Sequence, residues 1–151
     1  MADEIMVMEE SSELAQNKGG FMERIIQHVR EEGFYCTFDT SGMKGQKQLY
    51  KATNASKLLR DFMETPLEVT DFVFSPTTVT TEAGETEQVM GVYLIDKQGT
   101  AYVSSSNGVI RSAMQIIAMF GEPSGWDEPL TVVCRETNTA KGRRFKFLDV
   151  E

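Results

Sequence analysis

The sequence is poor in the side chains that bind metal ions or carry acid–base chemistry. It has one histidine, His28, and two cysteines, Cys36 and Cys134, which stand far apart along the chain. Metal sites in proteins need several clustered Cys, His or carboxylate ligands. We therefore expect His28 to be an exposed polar residue and the two cysteines to be small buried side chains. Two lone thiols also form no disulfide framework, which favours residence in the cytosol.

Sequence motifs for nucleotide binding and nucleophilic catalysis are absent as well. The chain contains no G-x-x-x-x-G-K-[ST] phosphate loop, no G-x-G-x-x-G fingerprint and no G-x-S-x-G elbow. The acidic segment 80–87 lacks the alternating ligand spacing of a calcium loop, so we interpret it as a solvated loop. These absences predict no metal, no cofactor and no enzymatic activity. A small nucleic-acid-processing enzyme is a weaker interpretation, because clustered metal ligands are missing.

Long apolar segments are also missing. No stretch approaches the 18 apolar residues of a transmembrane helix, and the acidic N-terminus does not resemble a secretory signal. The sequence therefore predicts no contact with a membrane. The length of 151 residues fits one domain with one core.

Charge is present but unevenly distributed. The formal net charge is −8, and residues 65–90 contain five acidic residues and no basic one. By contrast, residues 141–146 contain four basic residues and no acidic one, and residues 33–64 have a small excess of cations. The local field, rather than the net charge, decides what a surface attracts. An acidic chain can therefore still present a basic surface to a partner.

The chain divides into an N-terminal segment, residues 1–32, and a strand-rich domain, residues 33–151. Residues 1–19 are acidic and have too few apolar side chains to offset the cost of ordering, so we expect a poorly folded arm. Residues 20–32 have apolar side chains at helical spacing, and Gly33 follows as a stop. This helix must dock either on its own domain or on another molecule. Docking on a second copy would give a homo-oligomer through residues 20–32.

The domain itself reads as strand pairs interrupted by short helices. The predicted strands are 34–41, 46–54, 67–75, 88–96, 100–104, 130–138 and 143–150, and the predicted helices are 55–63 and 105–121. Leu58, Leu59 and Phe62 are expected to point inward from the first helix, and Pro76 to interrupt the third strand. The order lacks the regular strand–helix alternation of a parallel sheet. We predict a mainly β, OB-like barrel with one inserted helix and an N-terminal helical extension; an SH3-like barrel or an α+β sandwich remains open.

Cations and aromatic rings are interleaved on the predicted hairpins. Proteins hold single-stranded nucleic acid with cations that follow the phosphates and rings that stack on bases. Tyrosines are favoured over phenylalanines for stacking, because a hydroxyl tolerates a wet surface. The aromatic residues on these hairpins are Phe34, Tyr35, Phe38, Tyr50, Tyr93, Tyr102, Phe145 and Phe147. The candidate nucleic-acid-binding residues are Lys44, Lys47, Tyr50, Lys51, Tyr102, Arg135, Lys141, Arg143, Arg144 and Lys146.

The last predicted strand leaves one assignment open. Because side chains alternate along a strand, Phe145 and Phe147 share one face, and Arg144 and Lys146 share the other. The two phenylalanines are then either core residues or base-stacking residues, and the sequence does not distinguish between these assignments.

Three segments in this order resemble one protein family. They are "TFDT" in the first strand, "IDKQGTAYVSSS" before the long helix, and "LTVVCRETNTAKGRRFKFLDV" as a closing hairpin with a T-x-K-G turn. Over roughly residues 36–150 the chain resembles the single-stranded DNA-binding proteins of small protein-priming phages of Gram-positive bacteria, and related proteins of conjugative plasmids.

The resemblance carries expectations about fold and function. It implies an OB-like fold, sequence-independent coating of single strands, no catalysis, and work in the cytoplasm of a bacterial host. It carries over Tyr50, Tyr102, Lys141 and Arg143 as contacts. Residues 1–32 depart from the family pattern. These residues support a second interpretation of the function, in which the protein is a protein-interaction or assembly module that acts through the N-terminal helix. The sequence does not decide between DNA and RNA.

Overall fold

The computed structural model describes the backbone of residues 13–151 and the side chains of residues 20–151. Within residues 13–151, three α-helices and seven strands follow one another, with two short 3₁₀ helices at Leu59–Phe62 and Pro123–Gly125. In chain order they are α1 (Glu13–Glu32), β1 (Tyr35–Cys36), α2 (Met43–Asn54), β2 (Lys57–Leu58), β3 (Leu67–Thr80), β4 (Thr86–Asp96), β5 (Ala101–Ser104), α3 (Asn107–Phe120), β6 (Leu130–Asn138) and β7 (Arg144–Val150).

The strands form one strongly curled sheet. The strand order is β2-β5-β4-β3-β6-β7, with β1 added to β3, and every pair is antiparallel except β2 with β5. Strands β3 to β7 form a half-open barrel with α3 inserted between the third and fourth of them, as in an OB-fold. The prediction of a mainly β, OB-like fold is therefore confirmed.

Helix α1 packs on the barrel of its own chain. Its residues Met22, Ile25, Ile26 and Val29 are buried within the main apolar cluster, together with side chains of α3 and the sheet. The helix ends at Gly33, whose φ of +87° favours glycine and whose N–H donates to the Val29 carbonyl. The predicted helix 20–32 is correct, but it extends back to Glu13. The expectation of a poorly folded arm is therefore wrong for residues 13–19, and residues 1–12 lie outside the described part of the chain.

The sheet has a packed layer on each face. The inner face, with Phe72, Phe74 and Leu94, carries the main cluster under α1 and α3. On the outer face, the alternate residues Val73 and Tyr93 belong to a smaller cluster that α2 covers through Ala52 and Leu49. The second face of the central strands is thus occupied by a helix rather than by solvent.

The first predicted hairpin is wrong. Of residues 34–41 only Tyr35–Cys36 is a strand, and residues 46–54 belong to α2. Leu49 and Ala52 are one helical turn apart and both pack on the outer cluster. Gly45, one turn earlier, lies so close to the Asp39 carbonyl oxygen that an added Cβ would stand 1.7 Å from it. Only a glycine allows this close approach.

Two further local predictions are corrected. Residues 55–63 form strand β2 and a 3₁₀ helix instead of one α-helix, and Leu58 is 44% exposed rather than inward. Strand β3 continues through Pro76 to Thr80. Proline is tolerated there because β1 pairs with β3 only up to Phe74, so that Pro76 has β4 on one side and an open edge on the other.

The second half of the chain follows the predictions closely. The strands at 88–96, 100–104, 130–138 and 143–150 correspond to β4, β5, β6 and β7, and the helix at 105–121 to α3. Along α3, Val109, Ile110, Ala113, Met114 and Ile117 are buried, whereas Phe120, at the last position of the helix, is exposed.

Candidate nucleic-acid interface

The exposed face of α2 brings four of the predicted site residues together, on a helix instead of a strand. Lys44, Lys47, Tyr50 and Lys51 all lie on this helix, which contains no acidic residue. Tyr50 is 69% exposed and lies one turn after Lys47, beside a shallow groove that Met43, Gln46 and Lys51 complete. Within the described residues, none of the three lysines forms an ion pair. An exposed ring flanked by cations is the combination that single-stranded nucleic acid requires.

Helix α2 is fixed to the sheet from beneath. The hydroxyl of Thr37 donates to the Asp71 carboxylate at 3.0 Å and accepts the Phe72 N–H at 3.0 Å. Gln48 of α2 also hydrogen-bonds to Asp71, so that this carboxylate links the helix to β3. Burial raises the pKa of Asp71, and these hydrogen bonds lower it in part. The exposed face of α2 is therefore positioned by hydrogen bonds that join the helix to β3.

The predicted contact Tyr102 is not at the surface. Its side chain is 7% exposed, and its ring meets the edge of Phe62 with 5.0 Å between centroids. Its hydroxyl donates to Asp96 at 3.1 Å, and burial, aided by this carboxylate, raises its pKa. Tyr102 is therefore a core residue with no face free for a base. The alternation of the strand did not reveal this, because both faces of β5 are covered.

The other aromatic residues of the early segments are also engaged. Tyr93 is buried beneath α2, and Phe34 and Phe38 are half-buried. The hydroxyl of Tyr35 donates to Glu122 at 3.1 Å, and burial together with that carboxylate raises its pKa to about 12. Of the early aromatic residues, Tyr50 is thus the one with a widely exposed ring.

The turn between β6 and β7 presents a second group of cations, which we call the basic tip: Lys141, Arg143 and Arg144. Thr139 donates its N–H to the Arg143 carbonyl at 2.7 Å, and Gly142 takes the positive φ of +79° that the turn requires. All three cationic side chains are exposed. Arg144 makes one loose contact with Glu136, at 3.9 Å. Such an exposed pair is weak and gives way readily to a phosphate.

Arg135 is not part of this exposed group. Its guanidinium lies against three carboxylates, those of Glu64, Asp149 and Glu151, and the hydrogen bond that it donates to Asp149 raises its pKa. The prediction of Arg135 as a nucleic-acid contact is therefore not supported by its surroundings. Its partners are distant in sequence, so a local charge count does not reveal them.

Lys146 lies on the opposite side of β7 from Phe145 and Phe147. It lines a groove of about 540 Å³ that Arg60 and the outer end of β3 also line. The sequence prediction did not include Arg60, because only the fold brings this residue to the same groove as Lys146. The open side of the half-barrel, between β7 and the edge formed by β2 and β5, therefore has a cation on each side: Lys146 of β7 and Arg60, which follows β2.

A comparison with models of protein families identifies the family of this chain. A family model described as Phage Single-stranded DNA-binding protein matches residues 28–151. The chain belongs to this family. No curated protein sequence and no solved structure matches it. The resemblance read from the three sequence segments is thereby confirmed, and most of α1 lies before the matched range.

Single-stranded DNA is accordingly the partner of this protein, and DNA binding is its function. Among residues 13–151 no group of His, Cys, Asp or Glu is arranged to hold a metal ion. In the same part of the chain no helix is long and apolar enough to span a membrane.

Proposed function

We propose that this protein coats single-stranded DNA without sequence specificity during replication or transfer of a phage or mobile element, in the cytoplasm of the bacterial host and without catalysis. The observation that carries the proposal is the pairing of exposed lysines with an exposed ring on α2. Lysines contact phosphates at any sequence, and a stacked ring accepts every base. Sequence-specific proteins instead need fixed side chains that read base edges.

We propose that the contact surface joins α2 to the basic tip. OB-folds bind oligonucleotides on the outer face of their second and third strands and on the loops after the first and fourth strands. In this chain those strands are β4 and β5, and α2 covers their outer face. The surface that the strands would provide is therefore replaced by Lys44, Lys47, Tyr50 and Lys51. The loop after the fourth strand is the basic tip.

The cation Lys146 belongs to the same surface in this proposal. It extends the basic tip along β7 toward Arg60, across the open side of the half-barrel. A strand of DNA that follows these cations would pass from the tip to the barrel opening. Tyr102 and Arg135 have no part in this path, because one is buried and the other is neutralised by carboxylates.

We further propose residues 33–151 as the OB-like domain, with α1 as an appended helix. The apolar side chains Met22, Ile25, Ile26 and Val29 of α1 are buried against its own barrel. Self-association through residues 20–32 would therefore have to use the polar face of the helix, with residues such as Glu23, Gln27 and Arg30. The rival function as a protein-interaction module loses its main argument for the same reason.

Fluorescence anisotropy of a labelled oligo-dT, at two salt concentrations and beside a duplex of equal length, tests the proposal. Coating predicts tight binding that favours the single strand and weakens as salt rises, because bound cations displace counterions from the phosphates. A heteropolymeric strand of the same length should bind within a fewfold of oligo-dT. Equal binding of duplex and single strand, or strong preference for one sequence, would refute it.

A further inference from the structure

Two phenylalanines lie together on the outer face of β7. Phe145 is 44% exposed although it is a large apolar side chain, and its ring centroid is 5.9 Å from that of Phe147. Their neighbours Leu148 and Val150 pack with the main cluster, so strand alternation turns both rings away from it. The structure thereby answers the question that the sequence left open: Phe145 is not a core residue.

The two rings form one wall of a groove of about 580 Å³. The opposite wall is the polar side of α3, with Arg111, Ser112 and Gln115, and Thr137 of β6 lies beside the rings. The groove therefore combines an apolar wall with polar side chains. It lies directly next to the basic tip, because Arg144 precedes Phe145 in β7.

Gly108 sets the width of this groove. It stands in the first turn of α3, directly on the backbone of β7, and an added Cβ would lie 2.0 Å from the Lys146 carbonyl oxygen. The nearest ring atom of Phe145 would be 3.6 Å from the same Cβ. Helix and strand can approach this closely only because residue 108 lacks a side chain. The rings of β7 thus lie close to the first turn of α3.

We propose that Phe145 and Phe147 form a second base-stacking site, in which bases of the bound single strand lie on the rings while phosphates contact the basic tip. This inference rests on the proposed function, whose surface comprises α2 and the cations only. The charge around the groove and its position beside the basic tip indicate that its ligand is a nucleotide. An apolar site for a protein segment would not be expected beside three exposed cations, whereas a nucleotide supplies both a base for the rings and a phosphate for the cations.

The test compares an exposed phenylalanine inside the groove with one outside it. The variant Phe145→Ala removes a ring of the groove, and Phe120→Ala removes a ring of similar exposure, 51%, at the far end of α3. Each variant, together with Phe145→Trp, is titrated with labelled oligo-dT. A second titration uses an oligomer of the same length whose sugars carry no bases. Thermal unfolding of each variant shows that the fold is retained.

Stacking predicts that Phe145→Ala weakens binding of oligo-dT about five- to a hundredfold. Binding of the abasic oligomer, the salt dependence, and the affinity of Phe120→Ala should stay as in the unaltered protein. Phe145→Trp should retain its affinity, because it still offers a ring. Two results would overturn the inference: equal losses for oligo-dT and the abasic oligomer, or equal affinities of Phe145→Ala and Phe120→Ala for oligo-dT.

A failure of the proposed function would look different. In that case the unaltered protein itself would not prefer oligo-dT over the duplex. A protein occupant of the groove would instead leave DNA binding of Phe145→Ala unchanged, and this result also counts against the inference.

Discussion

The two hairpin tips at 81–85 and 139–143 have the same backbone turn and opposite charges. In each, the N–H of the first residue, a threonine, donates to the carbonyl of the fifth residue at 2.7 Å. The fourth residue is a glycine whose N–H donates to the threonine carbonyl at 2.9 Å, with φ of +81° at Gly84 and +79° at Gly142. One tip contains two glutamates and the other a lysine and an arginine.

The shared turn shows that backbone shape and function are encoded by different residues. The threonine hydroxyl accepts the N–H of the fifth residue in both tips, so threonine and glycine fix the conformation. The charged residues contribute at most their backbone to that geometry, so their side chains are free to vary. In an OB-fold both of these loops border the binding face. Here only the tip at 139–143 is suited to phosphate, and the acidic tip would repel it.

Neutralising the basic tip should have the largest effect on DNA binding. Changing Lys141, Arg143 and Arg144 together to Gln removes the three phosphate contacts that we propose for this tip. The slope of log affinity against log salt should become shallower by about 2, and affinity at low salt should drop about tenfold or more. Anisotropy titrations across a salt series measure both quantities. An unchanged slope would place the DNA elsewhere on the molecule.

Tyr50→Ala extends the comparison from the tips to α2 and should have the next largest effect. Loss of one stacked ring costs about 1–3 kcal/mol of binding, and Tyr50→Phe should preserve nearly all of it because the ring remains. The salt slope should not change, in contrast to the basic-tip variant. Equal affinities of the Ala and Phe variants for oligo-dT would show that no base stacks on Tyr50.

Neutralising the acidic tip should have a smaller effect of opposite sign. Changing Glu82 and Glu85 to Gln removes a weak repulsion that salt screens within about 10 Å at 0.1 M. Affinity for oligo-dT should rise by about threefold or less at low salt. At high salt it should be unchanged, because the glutamates are then farther from the DNA than the screening length. If this variant instead bound DNA more weakly, the acidic tip would itself be part of the binding surface.

Replacing the turn glycines should affect stability equally and binding unequally. Gly84→Ala and Gly142→Ala each force an L-residue into the left-handed region, at a cost of about 1–2 kcal/mol of unfolding free energy. Denaturant unfolding should show similar losses for the two variants. Only Gly142→Ala should also weaken DNA binding, by a few-fold, because it distorts the basic tip. Unequal stability losses would mean that the two turns are not equivalent.

Sequence reasoning succeeded where apolar patterning is long and failed where segments are short. The strands β4, β6 and β7 and the helix α3 have apolar runs, alternation or helical stripes long enough to exclude other structures. In α2 the apolar side chains are too few for their pattern to exclude a strand, although Leu49 and Ala52 lie at helical spacing. Tertiary contact with the outer face of the sheet decides for the helix.

The sequence located the exposed cations of the candidate site, but it did not show which residues have partners from distant segments. Local charge density identified the basic tip and the lysines of α2, because exposed cations need no distant partner. The sequence also suggested Arg135, whose carboxylate partners come from two segments distant from it in the chain, and Tyr102, whose strand is covered on both faces. It also left out Arg60, which only the curl of the sheet brings to the same groove as Lys146.

An exchange of charges between the two tips tests most directly whether local field, rather than net charge, determines binding. The variant carries Glu82→Lys, Glu85→Arg, Lys141→Glu and Arg143→Glu, and its net charge stays at that of the unaltered chain. The turns should fold as before, since their threonines and glycines are untouched. We predict that its affinity for oligo-dT falls about tenfold or more at low salt. Affinity equal to that of the unaltered protein would contradict the assignment of the basic tip as a DNA contact.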